Sequence, residues 1–405
     1  MKKLAIIYLI LLFSPALWAQ SKTEMLLNAE AILAHGDTTA AIAQFRQTLT
    51  RYPQSFAATM RLAEVHYHIE DYNTAIQYCN IAIDITENFI GKSMEKLQAD
   101  STPTPEEIAE EKQKIQRYET DKIGIYHLKG RVRLKQLRRD DAIEEFKNAL
   151  EIKQNSEVLT DLALTYLEIG LLQDALVLLH QAKFIDSVSY KPYFNLGNVH
   201  YKIQNTDSAL YYYTITQKKA PNLKWPYLYS GMILTEKKQY YEALDQYSAF
   251  IDIDSTNEEL YFRRAVLNSE INRWDAALED WDHVLALNPE NAEAWRNKGL
   301  SFFRIEAYDS AITAFNKALD IAPNEPFTYI NRGYSYYLSN EPEKALQDLN
   351  YGLKHLPKYY LGYYFRALTY MQLRKKNKAC DDLSKALGLG MKEEEVDEKL
   401  MRRCF

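Results

Sequence analysis

Apolar positions in this chain recur at helical spacing and fall into paired short runs separated by a few polar residues. The stretch AEAWRNKGLSFFRIEAYDSAITAFNKALDIAPN, residues 292–324, shows the pattern. Trp295, Gly299 and Phe302 share one helical face, and Ala311, Phe315 and Ala318 share another. The polar turn between them predicts two helices folded into a hairpin. Pro323 closes the stretch, and Pro53, Pro221, Pro289 and Pro357 stand at the same place elsewhere, where proline cannot continue a helix.

The hairpin repeats. Ala41, Ala75, Ala142, Ala175, Ala209, Ala243, Ala277, Ala311, Ala345 and Ala379 form a ladder whose last six steps, from Ala175 to Ala379, are all equal. Twelve residues before each lies another small residue: Ala29, Ala63, Gly130, Ala163, Gly197, Gly231, Ala265, Gly299, Gly333 and Ala367. Small side chains at two fixed places let two backbones approach closely. This order of aromatic, small residue, Tyr or Phe, Ala, aromatic, Ala and Pro resembles the tetratricopeptide repeat family. Ten units match, over about residues 22–89 and 123–391. The resemblance implies an all-α solenoid of helix-turn-helix units with a concave binding surface.

One step of the ladder, from Ala75 to Ala142, is nearly twice the usual length, and its excess covers about residues 90–122. Leu97 falls where a small residue would be needed for an eleventh repeat. Ser101 to Pro105 reads as a break, and Ile108, Ile115 and Lys122 lie one heptad apart, with Tyr118 and Ile125 in a second row. The segment is expected to extend the second helix of repeat 2 and the first helix of repeat 3 into an antiparallel, coiled-coil-like arm. After residue 391, Lys392 to Cys404 reads as a polar capping helix over the last open face.

Composition adds the compartment. The sequence of 405 residues opens with Lys2 and Lys3, an apolar run from Leu4 to Phe13, and Leu17-Trp18-Ala19. Residues 1–19 are expected to be an export leader, being too short to span a bilayer. Export would place the chain in an oxidising periplasmic or extracellular space. There Cys380 and Cys404, brought together by the final hairpin, are expected to form a disulfide, with Cys79 in the core. The net charge is −6 with no basic block, and no nucleic-acid motif is present.

Candidate chemistry is sparse. No phosphate loop, nucleophile elbow, paired-carboxylate pocket or CxxC motif occurs, and His66 and His68 are wrongly spaced for a helical metal site. The expectation is a non-catalytic protein without cofactor or metal. A cation ladder recurs with the period of the alanines, at Arg264, Lys298, Arg332 and Arg366. The place 16 further on varies in step with it. Arg264 meets Asp280, Arg332 meets Asp348, Arg366 meets Asp382, and Lys129 meets Glu145. Where the first place holds Leu, as at Leu162, its mate is apolar too, Leu178. These are expected to be structural ion pairs inside each hairpin. Lys298 faces Ala314, which leaves it as the cation free for a ligand.

By the same resemblance, fixed places of each first helix face the concave side. In the C-terminal six units these hold Phe194, Tyr201, Trp225, Phe262, Phe303, Phe327, Tyr334, Tyr337 and Tyr364, with Arg296 beside them. Arg296 and Lys298 would bias such a trough toward acidic segments. The partner implied is an extended protein segment or another subunit of a bacterial envelope complex. Two other functions fit the same residues: a glycan or cell-wall binding module that stacks sugars on the rings, and an accessory domain that activates an enzyme.

Overall fold

The computed structural model describes residues 21–98 and 103–405. The expected leader, and the start of the expected break at Ser101, lie outside the described residues. Among the described residues are 21 α-helices and no strand. The first four repeats are α1 (Lys22–Ala34) with α2 (Thr38–Arg51), α3 (Phe56–His68) with α4 (Tyr72–Gln98), α5 (Pro105–Lys135) with α6 (Arg139–Ile152), and α7 (Ser156–Glu168) with α8 (Leu172–Ile185). Repeats 5 to 7 are α9 (Lys191–Lys202) with α10 (Thr206–Lys219), α11 (Trp225–Glu236) with α12 (Tyr240–Ile253), and α13 (Glu258–Glu270) with α14 (Trp274–Leu287). Repeats 8 to 10 are α15 (Ala292–Arg304) with α16 (Tyr308–Ile321), α17 (Pro326–Leu338) with α18 (Pro342–His355), and α19 (Tyr360–Gln372) with α20 (Lys376–Gly388), and α21 (Glu398–Cys404) ends the chain. The architecture is an all-α helical-repeat solenoid. The chain divides into two compact parts inside α10, after Tyr212. Within each part the second helix of one hairpin packs on the first helix of the next.

The ladder of small residues has a direct steric cause. A Cβ placed on Gly299 would lie 2.6 Å from the ring of Phe315, and one on Gly231 would lie 2.4 Å from the ring of Tyr247. Carbon atoms pack best at about 3.5–4.0 Å, so the ring of the second helix occupies the space a larger side chain would need. The alanines of the ladder, such as Ala265 and Ala277, are wholly buried at the same crossings.

Each hairpin turns through one residue of left-handed conformation, at Gly36, Glu70, Leu137, Gly170, Gln204, Lys238, Asn272, Glu306, Asn340 and Arg374. The Leu137 N–H donates to the Leu134 carbonyl and the Arg138 N–H to the Arg133 carbonyl. That is the Schellman arrangement, which satisfies the last carbonyls of the first helix. Only two of the ten positions are glycine, so the others hold a conformation that disfavours their side chains.

The long ladder step is accommodated by α4 and α5, of 27 and 31 residues. Thr104 starts α5 with a capping box: its hydroxyl accepts from the Glu107 N–H and its own N–H donates to the Glu107 carboxylate. Along the seam Phe89 stacks on Tyr118 at 5.1 Å and Lys122 pairs with Glu87 at 2.9 Å. The buried Glu111 sits in this seam too, with Lys114 at 3.0 Å and Lys96 at 3.2 Å. The seam is therefore partly ionic rather than an uninterrupted apolar heptad row.

The tail corrects one expectation. Lys392 to Cys404 is not one helix: Glu393–Glu395 forms a 3-10 turn, Val396 is extended, and only Glu398–Cys404 is α-helical. Asp397 competes with helix continuation, because its carboxylate caps α21 through the Leu400 N–H at 2.9 Å. Its own N–H donates to the Tyr364 hydroxyl at 3.1 Å. Leu400 then seals the core around Ala367, Ala379 and Leu383. Cys380 and Cys404 are joined in a disulfide, with their Cα atoms 5.1 Å apart. Cys79 is a free, buried thiol among Ala63, Ala82 and Ile125, and burial pushes its pKa up to about 12.

Candidate functional site

The cation ladder is built into the stack. Arg332 donates through Nε and Nη2 to the two oxygens of Asp348, at 2.7 and 2.9 Å. Arg366 makes the same two bonds to Asp382, and Arg264 makes them to Asp280. In the first part Lys129 pairs with Glu145 at 2.9 Å. These are the pairs that the spacing of 16 predicts.

The structure adds a second set of partners. Nη1 of Arg264, Arg332 and Arg366 donates to Ser248, Asn316 and Asn350 respectively, each 16 residues earlier on the preceding second helix. The guanidinium also lies between rings, Arg332 over Tyr329 and Tyr336 and Arg366 over Tyr363 and Tyr370, at 5.2 to 5.9 Å from the ring centres. One arginine thus binds two second helices and two aromatics of its own helix. Lys298 is not the free cation expected from the sequence. It pairs with Asp282, which occupies the place of Ser248, Asn316 and Asn350 in the preceding repeat, and it lies over Trp295 and Phe302.

The first-helix face of the second part carries most of the aromatic positions. Trp225 is 43% exposed, edge-on to Phe250 with Lys224 over its ring. Phe327 is 46% exposed and meets Tyr359 edge-on. The others are half-buried. Phe262 packs edge-on to Trp281 at 5.0 Å, and Phe303 meets Tyr334 at 5.5 Å. Tyr334 stacks flat on Phe365 at 3.8 Å and lies beside Tyr337, and burial, reinforced by the neighbouring Tyr364, pushes its hydroxyl up to about 12. Tyr364 is tied to the tail through Asp397. Rings of adjacent first helices close on one another at Phe303, Tyr334 and Phe365, filling the space where the sequence pattern suggested a trough. Phe194 and Tyr201 lie on α9 in the first part, and neither is free.

An opening does exist beside them. A hollow of about 570 Å³ lies between α13 and α15, with Trp274 and Trp281 of α14 on its wall. Val266 and Leu300 give it apolar sides. Arg296, half-buried and paired with Glu293 at 3.0 Å, and Asn297 give it polar ones. Among the described residues the indole N–H of the buried Trp281 has no hydrogen-bond acceptor. Sequence reasoning named Arg296 but not Val266, Asn297, Leu300 or Trp281 as neighbours. Trp281 is the bulkiest side chain at its place in any repeat, which was the available signal.

Hairpins stacked at a regular period, held by buried small residues at both helix crossings, define a helical-repeat protein. The chain is a tetratricopeptide-repeat protein. Family models described as tetratricopeptide repeat match residues 26–88, 262–326 and 361–389. No curated protein matches the chain. Among solved structures it is similar to a tetratricopeptide repeat protein from Parabacteroides merdae, at 20% identity and a TM-score of 0.39 over 62% of this chain and 99% of that one. It is also similar to YrrB, described as a TPR protein with an unusual peptide-binding site, at 21% identity and a TM-score of 0.42 over 45% of this chain and 95% of that one. A third is the APC/C hetero-tetramer Cut9-Hcn1, at 14% identity and a TM-score of 0.41 over 95% of this chain and 90% of that one. No helix among the described residues is long and apolar enough to cross a membrane.

Proposed function

We propose that this protein is a non-catalytic scaffold of a bacterial cell envelope that binds an extended segment of a partner protein along the first-helix face of residues 225–371. The observation that carries the reading is the hollow between α13 and α15. It combines apolar walls with the guanidinium of Arg296, the carboxamide of Asn297 and the carboxylate of Glu293, so it offers both donors and acceptors. A peptide backbone presents both kinds of group, and its side chains need apolar contact. Trp225 and Phe327 stand exposed on the same face and serve as anchors on either side. Such residues dominate interface energetics because they bury much area with few rotors.

Action beyond the cytoplasmic membrane rests on the character of residues 1–19 and on the Cys380–Cys404 bridge, which an oxidising compartment would preserve. The test is affinity purification from envelope extract with the full chain as bait, followed by titration of the recovered partner. Trp225→Ala and Leu300→Asp are each expected to weaken it more than about tenfold with unchanged melting. Wild-type affinity in both variants would remove this face as the binding site.

A further inference from the structure

The last second helix opens unlike the others. Just before the ladder alanine, α6 carries Asp140 and Asp141, and α8, α10, α12, α14, α16 and α18 each carry one Asp or Glu. A carboxylate there complements the positive end of the helix dipole. α20 opens instead with Lys376, Asn377 and Lys378, directly after Arg374 and Lys375 of the turn. All four cations are exposed. The helix dipole repels them, so the stability of α20 does not account for their presence.

The disulfide brings more of the same charge to this edge. Leu400 packs in the core with Leu383, and Cys404 is bonded to Cys380, so α21 runs back along α20 toward its start. Lys376 stands one turn before Cys380, about 6 Å along the axis. The Cα atoms of Cys380 and Cys404 are 5.1 Å apart, which places Arg403 and Phe405 at the same edge as Lys376. Phe405 is 73% exposed. Among the described residues Arg374, Lys375, Lys376, Lys378 and Arg403 pair with no carboxylate. The similarly basic turn of repeat 3 is neutralised, with Arg138 paired to Asp141 and Arg139 to Glu168. The carboxylates Glu393, Glu394 and Glu395 follow the turn at Gly390, past the other end of α20.

We propose that this edge of the last repeat docks on an anionic lipid bilayer, with its cations on headgroup phosphates and Phe405 at the acyl boundary. A cluster of about four to eight Lys and Arg is the size that holds a protein to an anionic leaflet. Three of the five unpaired cations are lysines, hydrated point charges that suit a diffuse charged surface better than bidentate recognition of one carboxylate. An exposed ring among them finds no apolar contact on an acidic protein segment, whereas a bilayer accepts rings at the depth of its headgroups. The net charge of −6 does not prevent the approach, because at about 0.1 M salt charges more than about 10 Å away are largely screened. This edge is distinct from the first-helix face, and the inference does not depend on the scaffold reading.

The experiment is co-sedimentation of the full chain with vesicles of phosphatidylcholine alone or mixed with phosphatidylglycerol, at low and high salt. Vesicles of phosphatidylcholine alone register any insertion of the apolar run at residues 4–13, which is indifferent to headgroup charge. Binding is expected only with phosphatidylglycerol and only at low salt. Each cation contributes about a factor of five, so Lys375→Gln with Lys376→Gln should weaken it about 25-fold. Melting of that variant should hold or rise, because the dipole repulsion is relieved, so the loss is not one of folding. Phe405→Ser should weaken binding several-fold and leave its salt dependence unchanged. Equal binding to both vesicle types, or a lysine variant or a Phe405→Ser variant that binds like wild type, overturns the proposal. Poly-glutamate that binds as tightly as the vesicles makes an acidic protein the occupant and overturns it too. Displacement by inorganic phosphate, at the concentration of accessible lipid phosphate, identifies a site for the free anion and has the same consequence.

Discussion

Replacing Arg332 by alanine tests the central physical claim about how the repeats are held together. The change deletes two charge-assisted hydrogen bonds to Asp348, one bond to Asn316 on the preceding second helix, and the contacts with Tyr329 and Tyr336. Asp348 is buried and would keep its charge without a partner. Removing one member of a buried pair costs about 3–5 kcal/mol, whereas an exposed pair is worth at most about 1 kcal/mol. By the same rule, Arg332→Ala is expected to lose about 3–5 kcal/mol in the stability of α17–α19. Changing both residues to leucine removes the stranded charge and should return the array to within about 1 kcal/mol of wild type. Urea unfolding followed by circular dichroism gives the total. Hydrogen exchange in residues 326–372 gives the local loss, which is needed because repeat arrays unfold as sums of neighbour terms. A loss below about 1 kcal/mol would show that the pair is effectively solvated. A double variant as unstable as Arg332→Ala would show that the contacts with the rings and Asn316, not the stranded carboxylate, carry the energy.

Leu137 holds a left-handed turn conformation with its side chain 74% exposed, so Leu137→Gly should raise stability by about 1 kcal/mol, while Gly170→Leu at the equivalent turn should lower it by a similar amount in the same urea assay. Hydrogen bonds from Lys224 and Thr256 hold the Asp254 carboxyl down at about 2, below its ordinary 3.8. Its contribution is then complete above about pH 4 and lost as the pH falls toward 2, so acid-unfolding curves of wild type and Asp254→Asn should differ at neutral pH and converge near pH 2. If the two curves coincide at every pH, the Lys224–Asp254 pair has no stabilising role. Cys404→Ser opens a loop of 24 residues and should cost about 3 kcal/mol. Hydrogen exchange should confine that loss to residues 376–404, and equal loss in the first part would contradict local coupling.

The repeats were legible because their cause is steric and periodic. Gly231 and Gly299 must be small to pass Tyr247 and Phe315, and that demand recurs once in every repeat. The pairs Arg264–Asp280, Arg332–Asp348 and Arg366–Asp382 were legible because both members vary together within the chain. The role of Lys298 was misread because the pairing rule runs only forward in sequence. Its partner Asp282 lies backward, across the boundary between repeats, at a place where Ser248, Asn316 and Asn350 look like ordinary surface residues. The tail was misread because helical composition from Lys392 onward hid the competing role of Asp397 as a cap. The closing of Tyr334 on Phe365 could not be read either. Spacing places two rings on one face, but side-chain rotation decides whether they leave a gap or fill it.

The arm formed by α4 and α5 has a mechanical consequence. Neither helix is joined to its repeat by a loop: α4 runs without interruption from Tyr72, and α5 to Lys135. At a rise of about 1.5 Å per residue, α5 is about 46 Å long. The part beyond the repeats is therefore a stiff beam clamped at its base, with Lys122–Glu87 and Phe89–Tyr118 bracing it near the clamp. A force applied at the far end cannot be absorbed by a hinge. It reaches repeats 2 and 3 as torque on the packed helices α3 to α6, multiplied by the length of the beam.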